Sequence, residues 1–389
     1  MITDIEIEGF KSLEKVRLKL GKLNLFVGAN ASGKSNFFDA LRVLQGIGYG
    51  FTMDEIFNGK PRSSTNEIWE GIRGGSTRAA FRRRGAGRAS DPDAPIRFAV
   101  VLQKPESPGF EFEIEMSPGR GLVLGETLRS NAEELVRHRT PLIRSLSTAD
   151  DLVKIFDGSM APFNTEKRLL HVAFSRDLGN VQNLDPSPII LRDYSQYKTV
   201  RRMGEHGENF AALVREITAD CDSKRAYLDW LRQLTPVELD DVVILTGAVD
   251  DSLFALKEGE QEFPAPVLSD GTLRFAALAA AFFQPDMPDI ITIEEIENGI
   301  HPTRLRLLVE LLKSQSTESG PQVFATTHSP VVLAWLDESD YDTTFFCKRD
   351  EETGASIIKP LSEIPRLVDL IKSQSLGELF TEGWMETAF

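Results

Sequence analysis

A short glycine-containing segment between an apolar run and a helical stretch constrains this chain more than any other feature. Residues 28–35 read G-A-N-A-S-G-K-S, after the apolar run 23–27 and before the helix-like stretch 36–41. Glycines let the backbone turn tightly so that successive N–H groups point at phosphate oxygens, and the following helix adds its positive N-terminal end. The segment therefore predicts a nucleotide triphosphate site. An ordinary glycine turn is the alternative, and the flanking strand and helix disfavour it.

Within this loop, Lys34 is placed to reach the β- and γ-phosphates and Ser35 to ligate Mg²⁺. The predicted cofactors are accordingly ATP and Mg²⁺. The candidate nucleotide-binding residues share the loop and the start of the helix, and they are Gly28, Asn30, Ser32, Gly33, Lys34, Ser35 and Asn36.

A second polar group lies far downstream, where a short apolar run ends in two acids. Residues 288–302 read P-D-I-I-T-I-E-E-I-E-N-G-I-H-P, and the run 290–293 is typical of a buried parallel strand. Acids at the end of such a strand are where Mg²⁺ and an attacking water need them. We expect Glu294 to hold the metal and Glu295 to polarise the water. The alternative is that the paired acids only begin the next turn.

Two weaker signals complete the set. Residues 268–272, L-S-D-G-T, precede an apolar helical stretch, so Ser269 and Gly271 lie at a helix N-terminus where backbone amides can bind an anion. Residues 322–330 read as a strand that ends in His328, which can donate a hydrogen bond to a γ-phosphate or a catalytic water. Taken singly, the first signal is more often a plain N-cap and the second a structural histidine.

The order and spacing of these four segments resemble the ABC-type ATPase heads of the RecF, SMC and OLD class. The opening residues 5–13, I-E-I-E-G-F-K-S-L, are also similar to that class, whose first strand commonly ends in F-K-S. The resemblance spans essentially the whole chain. It implies ATP hydrolysis and an α/β fold, an ABC-type ATPase head (P-loop NTPase) with a two-lobed mixed β core and a helical insertion.

The resemblance also assigns roles residue by residue. It makes Ser269 and Gly271 the signature motif, Glu294 and Glu295 the Walker B end, residues 298–301 the D-loop region and His328 the switch histidine. The sequence departs from the pattern where Glu294 replaces the more usual aspartate, where L-S-D-G-T replaces L-S-G-G-Q, and where Ile296 stands at a position that often holds proline. None of these changes removes a group that hydrolysis needs.

The length of the insert separates members of the class. The stretch from Ser35 to Leu268 is too long for a compact transporter head and far too short for the coiled-coil arms of SMC and Rad50-like proteins, and it contains no sustained heptad. RecF-like repair ATPases and the OLD-like ATPases of bacterial defence modules remain. Residues 268–275 together with 294–302 look more like the OLD-like group, here without a Toprim domain.

The resemblance implies partners as well. ATP would be sandwiched between two copies of the chain, in a homo-oligomer that is a dimer or a higher assembly of dimers. Only a short tail follows Ser329, so the effector, with a nuclease among the candidates, is expected to be a separate protein. The favoured function is the sensor and regulator of that effector in an anti-phage module. A RecF-like DNA repair ATPase and a regulatory ATPase without any DNA response are the alternatives.

Composition limits where the protein acts. The 389 residues, 41% of them hydrophobic, suffice for two or three cores, and no apolar run approaches the roughly 20 residues that span a membrane. The N-terminus lacks a signal-peptide pattern, so we expect a cytoplasmic protein with no membrane partner. The two cysteines, Cys221 and Cys347, imply neither a disulfide framework nor a zinc site.

The distribution of charge neither establishes nor excludes nucleic-acid binding. The net charge of −15 argues against a surface that coats nucleic acid indiscriminately. The segment from Arg73 to Arg88 nevertheless carries six arginines among several glycines. It is equally well interpreted as a DNA-contacting loop or as a solvated β-loop.

The coarse pattern of the chain predicts three parts. Residues 1–130 form an N-terminal ATPase lobe with the phosphate loop and an antiparallel β subdomain. Residues 131–237 form a helical insertion. Residues 238–389 form a C-terminal ATPase lobe with the signature motif, the Walker B acids and the switch histidine.

Overall fold

The chain folds into two compact units that both mix strands with helices. A computed structural model describes residues 1–60, 69–84, 91, 93–104, 108–131, 133–138, 165–196, 199–234, 239–371 and 373–388. The first unit comprises residues 1–181 and 341–367 with the C-terminal end, and the second comprises 182–340 and 368–387. The lobe boundaries at 130 and 237 stay a prediction.

The strands are numbered along the chain as β1 (Ile2–Phe10), β2 (Leu13–Lys19), β3 (Leu23–Val27), β4 (Ile96–Leu102), β5 (Phe110–Ser117), β6 (Leu122–Ser130), β7 (Glu133–His138), β8 (Val181–Leu184), β9 (Asp241–Thr246), β10 (Ser252–Glu258), β11 (Gln261–Pro264), β12 (Ile290–Ile293), β13 (Gln322–Thr327), β14 (Thr344–Arg349) and β15 (Ser356–Pro360).

The helices among the described residues are α1 (Lys34–Gly48), α2 (Met53–Asn58), α3 (Thr165–Gly179), α4 (Pro188–Leu191), α5 (Phe210–Ala219), α6 (Cys221–Leu234), α7 (Asp270–Ala280), α8 (Pro302–Gln315), α9 (Pro330–Leu333), α10 (Leu367–Leu370), α11 (Leu376–Thr381) and α12 (Trp384–Thr387).

An antiparallel sheet with the strand order β2-β1-β4-β5-β6-β7 forms much of the first unit. The alternation of apolar and acidic residues in 110–116 predicts such a strand, and in β5 the apolar side chains are buried while the acidic ones are exposed. On the polar face, Arg97 of β4 donates to Glu113 of β5 at 2.7 Å. This hydrogen bond raises the pKa of the Arg97 guanidinium.

The first unit also holds the strand that precedes the phosphate loop. β3 pairs in parallel with β14, which pairs antiparallel with β15. Phe37 of α1 stacks on Phe26 of β3 with their ring centroids 4.4 Å apart, and Gln45 near the end of α1 donates to the carbonyl of Val181 at 2.8 Å. These buried contacts fix the direction in which α1 leaves the loop.

The second unit is built around a parallel strand pair and an apolar helix. β12 and β13 run in parallel with Ile293 opposite Ala325, and Thr292 of β12 donates to Asn183 of β8 at 2.7 Å. β9, β10 and β11 form a separate antiparallel sheet. Helix α7 is buried from Leu273 to its end. None of the helices in the described ranges is both long and apolar enough to cross a membrane.

The region from 131 to 237, predicted to be helical, contains strands as well. Helices α3 to α6 lie in it, but β7 extends the antiparallel sheet of the first unit and β8 follows α3 directly. Alternation in these two short runs is too brief to distinguish a strand from a helical turn. Residues 139–164, 197–198 and 235–238 lie outside the described ranges.

A buried hydrogen bond attaches α7 to α6. The hydroxyl of Tyr227, a fully buried side chain, donates to the carbonyl of Ala276 at 3.0 Å. Burial also raises the pKa of the Tyr227 phenol well above its usual value, so the ring stays neutral in the native state.

We predict that Tyr227→Phe lowers the free energy of unfolding by about 0.5–1.5 kcal/mol, because it removes one net hydrogen bond from the core. Tyr194→Phe is the control, since the Tyr194 side chain is exposed. Urea unfolding followed by circular dichroism measures both.

The pKa of the native Tyr227 phenol is raised, so its contribution to the free energy of unfolding is fully present below about pH 10. That contribution is lost at higher pH, because the phenol of the unfolded chain ionises. Equal stability of the two variants would show that the Tyr227 bond is unimportant.

Candidate active site

The phosphate loop joins β3 to α1 in the first unit. Helix α1 begins at Lys34, with Gly33 as its N-cap in a left-handed conformation at φ +108°. A side chain at Gly33 would also overlap the hydroxyl of Ser356. Both constraints require glycine at this position. The helix therefore starts directly behind the loop, where its N-terminal end favours an anion.

Lys34 and Ser32 fit a bound triphosphate. The buried Lys34 ammonium donates to the carbonyl of Gly28 at 2.5 Å and to that of Ala29 at 2.9 Å, which holds it against the loop. The Ser32 hydroxyl is buried and has no hydrogen-bond partner among the described residues. A cation and an unsatisfied hydroxyl in one loop suit phosphate oxygens. Ser35 follows Lys34 in the sequence, and its hydroxyl oxygen is a ligand of the kind that Mg²⁺ prefers.

Cys347 of β14 lies behind the loop. Its carbonyl is so close to Gly28 that any side chain there would overlap it. Burial raises the pKa of the Cys347 thiol to about 12, although the nearby charge of Lys34 opposes this shift. The thiol is therefore neutral at physiological pH, and it puts no negative charge behind the predicted phosphate loop.

The F-K-S residues that contribute to the resemblance connect the turn after β1 to α1. The Lys11 ammonium pairs with Asp39 of α1 at 2.5 Å, and both side chains are almost fully buried. The Asn36 amide donates to the Ser12 hydroxyl at 2.6 Å. Arg73 reaches α1 as well, since it pairs with Asp39 at 3.1 Å and donates to the carbonyl of Ser35 at 2.9 Å. These bonds fix the first two turns of α1, and with them Lys34 and Ser35.

Two of the arginines at 82–84 make hydrogen bonds to the backbone, but the three form no ion pairs among the described residues. Arg82 and Arg84 donate to backbone carbonyls of Thr77 and Glu351, and residues 82–84 are largely exposed. Residues 85–88, including the last arginine of the predicted segment, lie outside the described ranges. Within the part that the structure describes, Arg82, Arg83 and Arg84 form no ion pair with a carboxylate.

In the second unit, the backbone at Glu295 has an unusual conformation. β12 is completely buried, and Glu294 and Glu295 follow it as a half-buried and an exposed residue. Glu295 has a φ of +49°, which a residue with a side chain seldom adopts and which costs about 1–3 kcal/mol. Its N–H donates to the hydroxyl of Thr326 at 2.8 Å, and the N–H of Ile296 donates to the carbonyl of the same threonine at 3.0 Å. Neighbouring strand ends thus fix the backbone at the predicted catalytic base.

His328 is held by an acid that the sequence analysis did not single out. Glu297 accepts a hydrogen bond from the backbone N–H of His328 at 2.7 Å, and the same oxygen lies 2.9 Å from the ring Nδ1. The Glu297 carboxylate is nearly buried, whereas the His328 side chain is 46% exposed. The imidazole is therefore oriented from one side and accessible from the other. The third acid in E-E-I-E-N is the only sequence signal for this role.

The predicted signature residues begin α7. The Ser269 hydroxyl caps the helix by accepting the N–H of Thr272 at 3.2 Å. A Cβ at Gly271 would lie 2.7 Å from the carbonyl of Gly299, so glycine is needed for the helix to approach the D-loop region. Ser269 is exposed. The N-terminal end of α7 is therefore capped, packed against residues 299–300 and accessible from outside this unit.

The structure divides the predicted site residues between the two units. The first unit holds Gly28, Asn30, Ser32, Gly33, Lys34, Ser35 and Asn36, and the second holds Ser269, Gly271, Glu294, Glu295 and His328. In the second unit the structure also places Thr326 next to Glu295 and Glu297 next to His328. The individual catalytic roles stay a prediction.

Comparison with known proteins establishes the family. Residues 23–334 match the family described as "AAA domain, putative AbiEii toxin, Type IV TA system". The chain belongs to this AAA ATPase family. The match begins at β3 and ends just beyond His328, so it includes every predicted site residue.

One relative matches most of the chain. The chain is 21% identical over 385 residues to a protein of Helicobacter pylori (strain ATCC 700392 / 26695) named "ATP/GTP phosphatase", with 90% of this chain and 93% of that protein covered. Family membership together with this relative confirms the predicted ATPase activity.

Solved structures confirm the fold. An Smc head bound to the C-terminal winged-helix domain of ScpA matches with a TM-score of 0.53 at 18% identity, over 93% of this chain and 98% of that one. An Smc head with an extended coiled coil, bound to the C-terminal domain of ScpA from Pyrococcus furiosus, matches with a TM-score of 0.51 at 15% identity, over 96% and 99% of the two chains. The predicted α/β ABC-type head is confirmed.

We predict that Lys34→Ala abolishes ATP binding, because Lys34 is the buried cation of the loop and its loss leaves the phosphate charge uncompensated. Lys19→Ala, on an exposed position of β2, is the charge-matched control. Equilibrium titration with a fluorescent ATP analogue measures both affinities. Wild-type affinity in the Lys34 variant would contradict the assignment of the phosphate loop.

Proposed function

We propose that this ATPase is a nucleotide-gated regulator: two copies associate around ATP, and the associated form controls a separate effector protein in an OLD-like bacterial anti-phage module. The observation that carries the proposal is the fixed backbone of Glu295, since a residue held in a costly conformation at a strand end is typical of a catalytic position. Hydrolysis at such a site limits how long the associated form lasts.

The proposed roles follow the chemistry of each side chain. Lys34 neutralises the β- and γ-phosphates, while Ser35 and Glu294 supply the oxygen ligands that suit Mg²⁺. Glu295 orients and polarises the attacking water, and His328 donates a hydrogen bond to the γ-phosphate or to that water. Mg²⁺ would neutralise charge that develops on the phosphate oxygens. Glu297 would keep the His328 ring in the orientation that this requires.

Association of two copies is supported by the start of α7. Ser269 is exposed at the N-terminal end of an eleven-residue helix, where amide groups and the helix dipole favour a phosphate. By resemblance to ABC-type heads, Ser269 and Gly271 would complete the nucleotide site of a second copy. ATP then bridges the two copies, and its hydrolysis releases them.

A separate effector is supported by two observations. The family description names a toxin and a type IV toxin–antitoxin system, which implies function in a module of more than one protein. The acidic stretch after α9 offers no second metal centre, since Asp337 and Asp340 both pair with Lys313, at 3.1 and 2.5 Å. In the described ranges, no group of three His, Cys, Asp or Glu residues is arranged to hold a metal ion. A separate partner protein is therefore the proposed effector, with a nuclease among the candidates.

A RecF-like DNA repair ATPase is the second candidate. The specific observation in its favour is the exposed stretch of Arg82, Arg83 and Arg84, which form no ion pairs with acids in the described part of the chain. Unpaired arginines are suited to phosphate contacts.

We predict that Glu295→Gln keeps ATP bound but slows hydrolysis by roughly 10² to 10⁴, the range for loss of a positioned proton acceptor. The variant should accumulate as an ATP-bound dimer. Sedimentation velocity with ATP and with ADP measures this, with Glu310→Gln on the exposed side of α8 as the control. A Glu295→Gln variant that turns over ATP at the wild-type rate would show that Glu295 is not the catalytic base.

The repair alternative makes its own prediction. If residues 82–84 contact DNA, the logarithm of the binding constant should fall with the logarithm of salt concentration, and replacing all three arginines with alanine should reduce that slope by up to about 3. Fluorescence anisotropy with gapped duplex DNA measures the slope. DNA-independent ATP turnover and an unchanged slope would rule out this alternative and favour the regulator of a protein effector.

A further inference from the structure

Arg274, on the first turns of α7, is a buried arginine without an assigned role. Its side chain is 3% exposed. One terminal nitrogen, Nη1, lies 3.0 Å from Asp185 and 2.9 Å from the carbonyl of Pro186. The other, Nη2, donates to the carbonyls of Glu294 and Glu295 at 3.2 and 3.4 Å. The guanidinium therefore joins α7 to the backbone of Glu294, the candidate metal ligand, and of Glu295, the candidate catalytic base.

Stability alone does not explain this arginine. Removing a guanidinium from water is expensive unless close charges and hydrogen bonds compensate. Its acidic partner, Asp185, is itself 58% exposed, so much of that partner's charge is screened. The Nε–H of Arg274 is buried with no hydrogen-bond partner in the described ranges. Buried charged groups whose hydrogen bonds and ion pairs are incomplete are found at functional sites.

The backbone bonds around Glu295 show what Arg274 controls. The peptide unit between Glu294 and Glu295 has its carbonyl bonded to Arg274 and its N–H bonded to the Thr326 hydroxyl. The next peptide unit has its carbonyl bonded to Arg274 and to the N–H of Asn298, and its N–H bonded to the carbonyl of Thr326. Two peptide planes define φ and ψ of the residue between them. Both peptide planes are hydrogen-bonded through their carbonyl and their N–H, so the direction of the Glu295 Cα–Cβ bond is fixed.

We propose that Arg274 is a positioning residue for ATP hydrolysis: it maintains the left-handed backbone of Glu295 and couples it to the helix that begins at Ser269 and Gly271. The proposal rests on the catalytic role of Glu295 given above. Arg274 bonds to the Glu295 backbone and acts through the direction in which the Glu295 side chain leaves that backbone. A shift of α7 on association of two copies would reach the catalytic base through this side chain.

The test compares two substitutions in the full-length chain. Arg274→Met keeps the length and removes the donors, and Arg274→Lys keeps the charge but not the planar fork that reaches both sets of acceptors. Arg232→Met is the matched control, because Arg232 likewise donates to two consecutive carbonyls, those of Leu239 and Asp240, and to neither glutamate. The readouts are kcat for ATP, the dissociation constant for fluorescent ADP, and the thermal unfolding midpoint.

We expect Arg274→Met to lower kcat by about 10- to 100-fold, the effect of misplacing a reacting group, while ADP affinity changes by less than about 3-fold. Arg274→Lys should lower kcat in the same direction, and it provides the measurement if the methionine variant does not fold. Arg232→Met should leave kcat at the wild-type level. A loss of kcat that matches the loss of ADP affinity or of folded protein would overturn the proposal, as would an unchanged kcat.

A double-substitution cycle distinguishes positioning from general destabilisation. If Arg274 acts through Glu295, then Arg274→Met or Arg274→Lys should change kcat by less than about 2-fold in a Glu295→Gln background. Multiplicative effects would overturn the proposal and leave the role of Glu295 intact. A Glu295→Gln variant with wild-type kcat would instead refute the proposed function, and this proposal with it.

Discussion

The geometry of the second unit depends on one constraint, the left-handed backbone of Glu295. Parallel pairing of β12 with β13 sets Ile293 opposite Ala325, so Glu294, just after β12, and Thr326, near the end of β13, lie side by side. Thr326 can then bond to two successive peptide units and hold a conformation that would be unfavourable in an isolated turn. The sheet register therefore determines where the Glu295 side chain leaves the backbone, and the bonds from Arg274 of α7 support the same backbone.

In the first unit as well, residues distant in the chain fix the backbone of the predicted nucleotide site. The polar groups predicted to bind phosphate follow a buried strand, β3, and precede a helix whose start is fixed by side chains from elsewhere in the unit. The pair of Lys11 with Asp39 and the bond from Asn36 to Ser12 attach α1 to the turn after β1. Ligand loops at the carboxyl ends of parallel strands are a general property of open α/β sheets.

Local patterns in the sequence predict the fold class and the segments that carry the candidate site residues. The strand 290–293 and the helix after the phosphate loop were predictable because apolar runs and glycines act over a few residues. Glu297, Thr326 and Arg274 were not, because their importance comes from partners far away in the chain. Arg274 has the appearance of an ordinary residue in an apolar helix, and only the folded backbone brings it to Glu294 and Glu295. Strand β7 was missed for a different reason, since six residues are too few to reveal a period.

The most direct test of the account is the ATP turnover of Thr326→Val. Valine has the shape of threonine and suits a strand, but it has no oxygen to accept the N–H of Glu295, so the base loses one of the bonds that fix it. We expect kcat to fall by about 10-fold with unchanged ADP affinity. Thr292→Val, which removes a buried hydroxyl bond to Asn183 on the adjacent strand, should leave kcat near the wild-type value. If Thr326→Val turns over ATP as fast as the wild type, hydrolysis does not depend on the fixed backbone of Glu295, and the account is wrong.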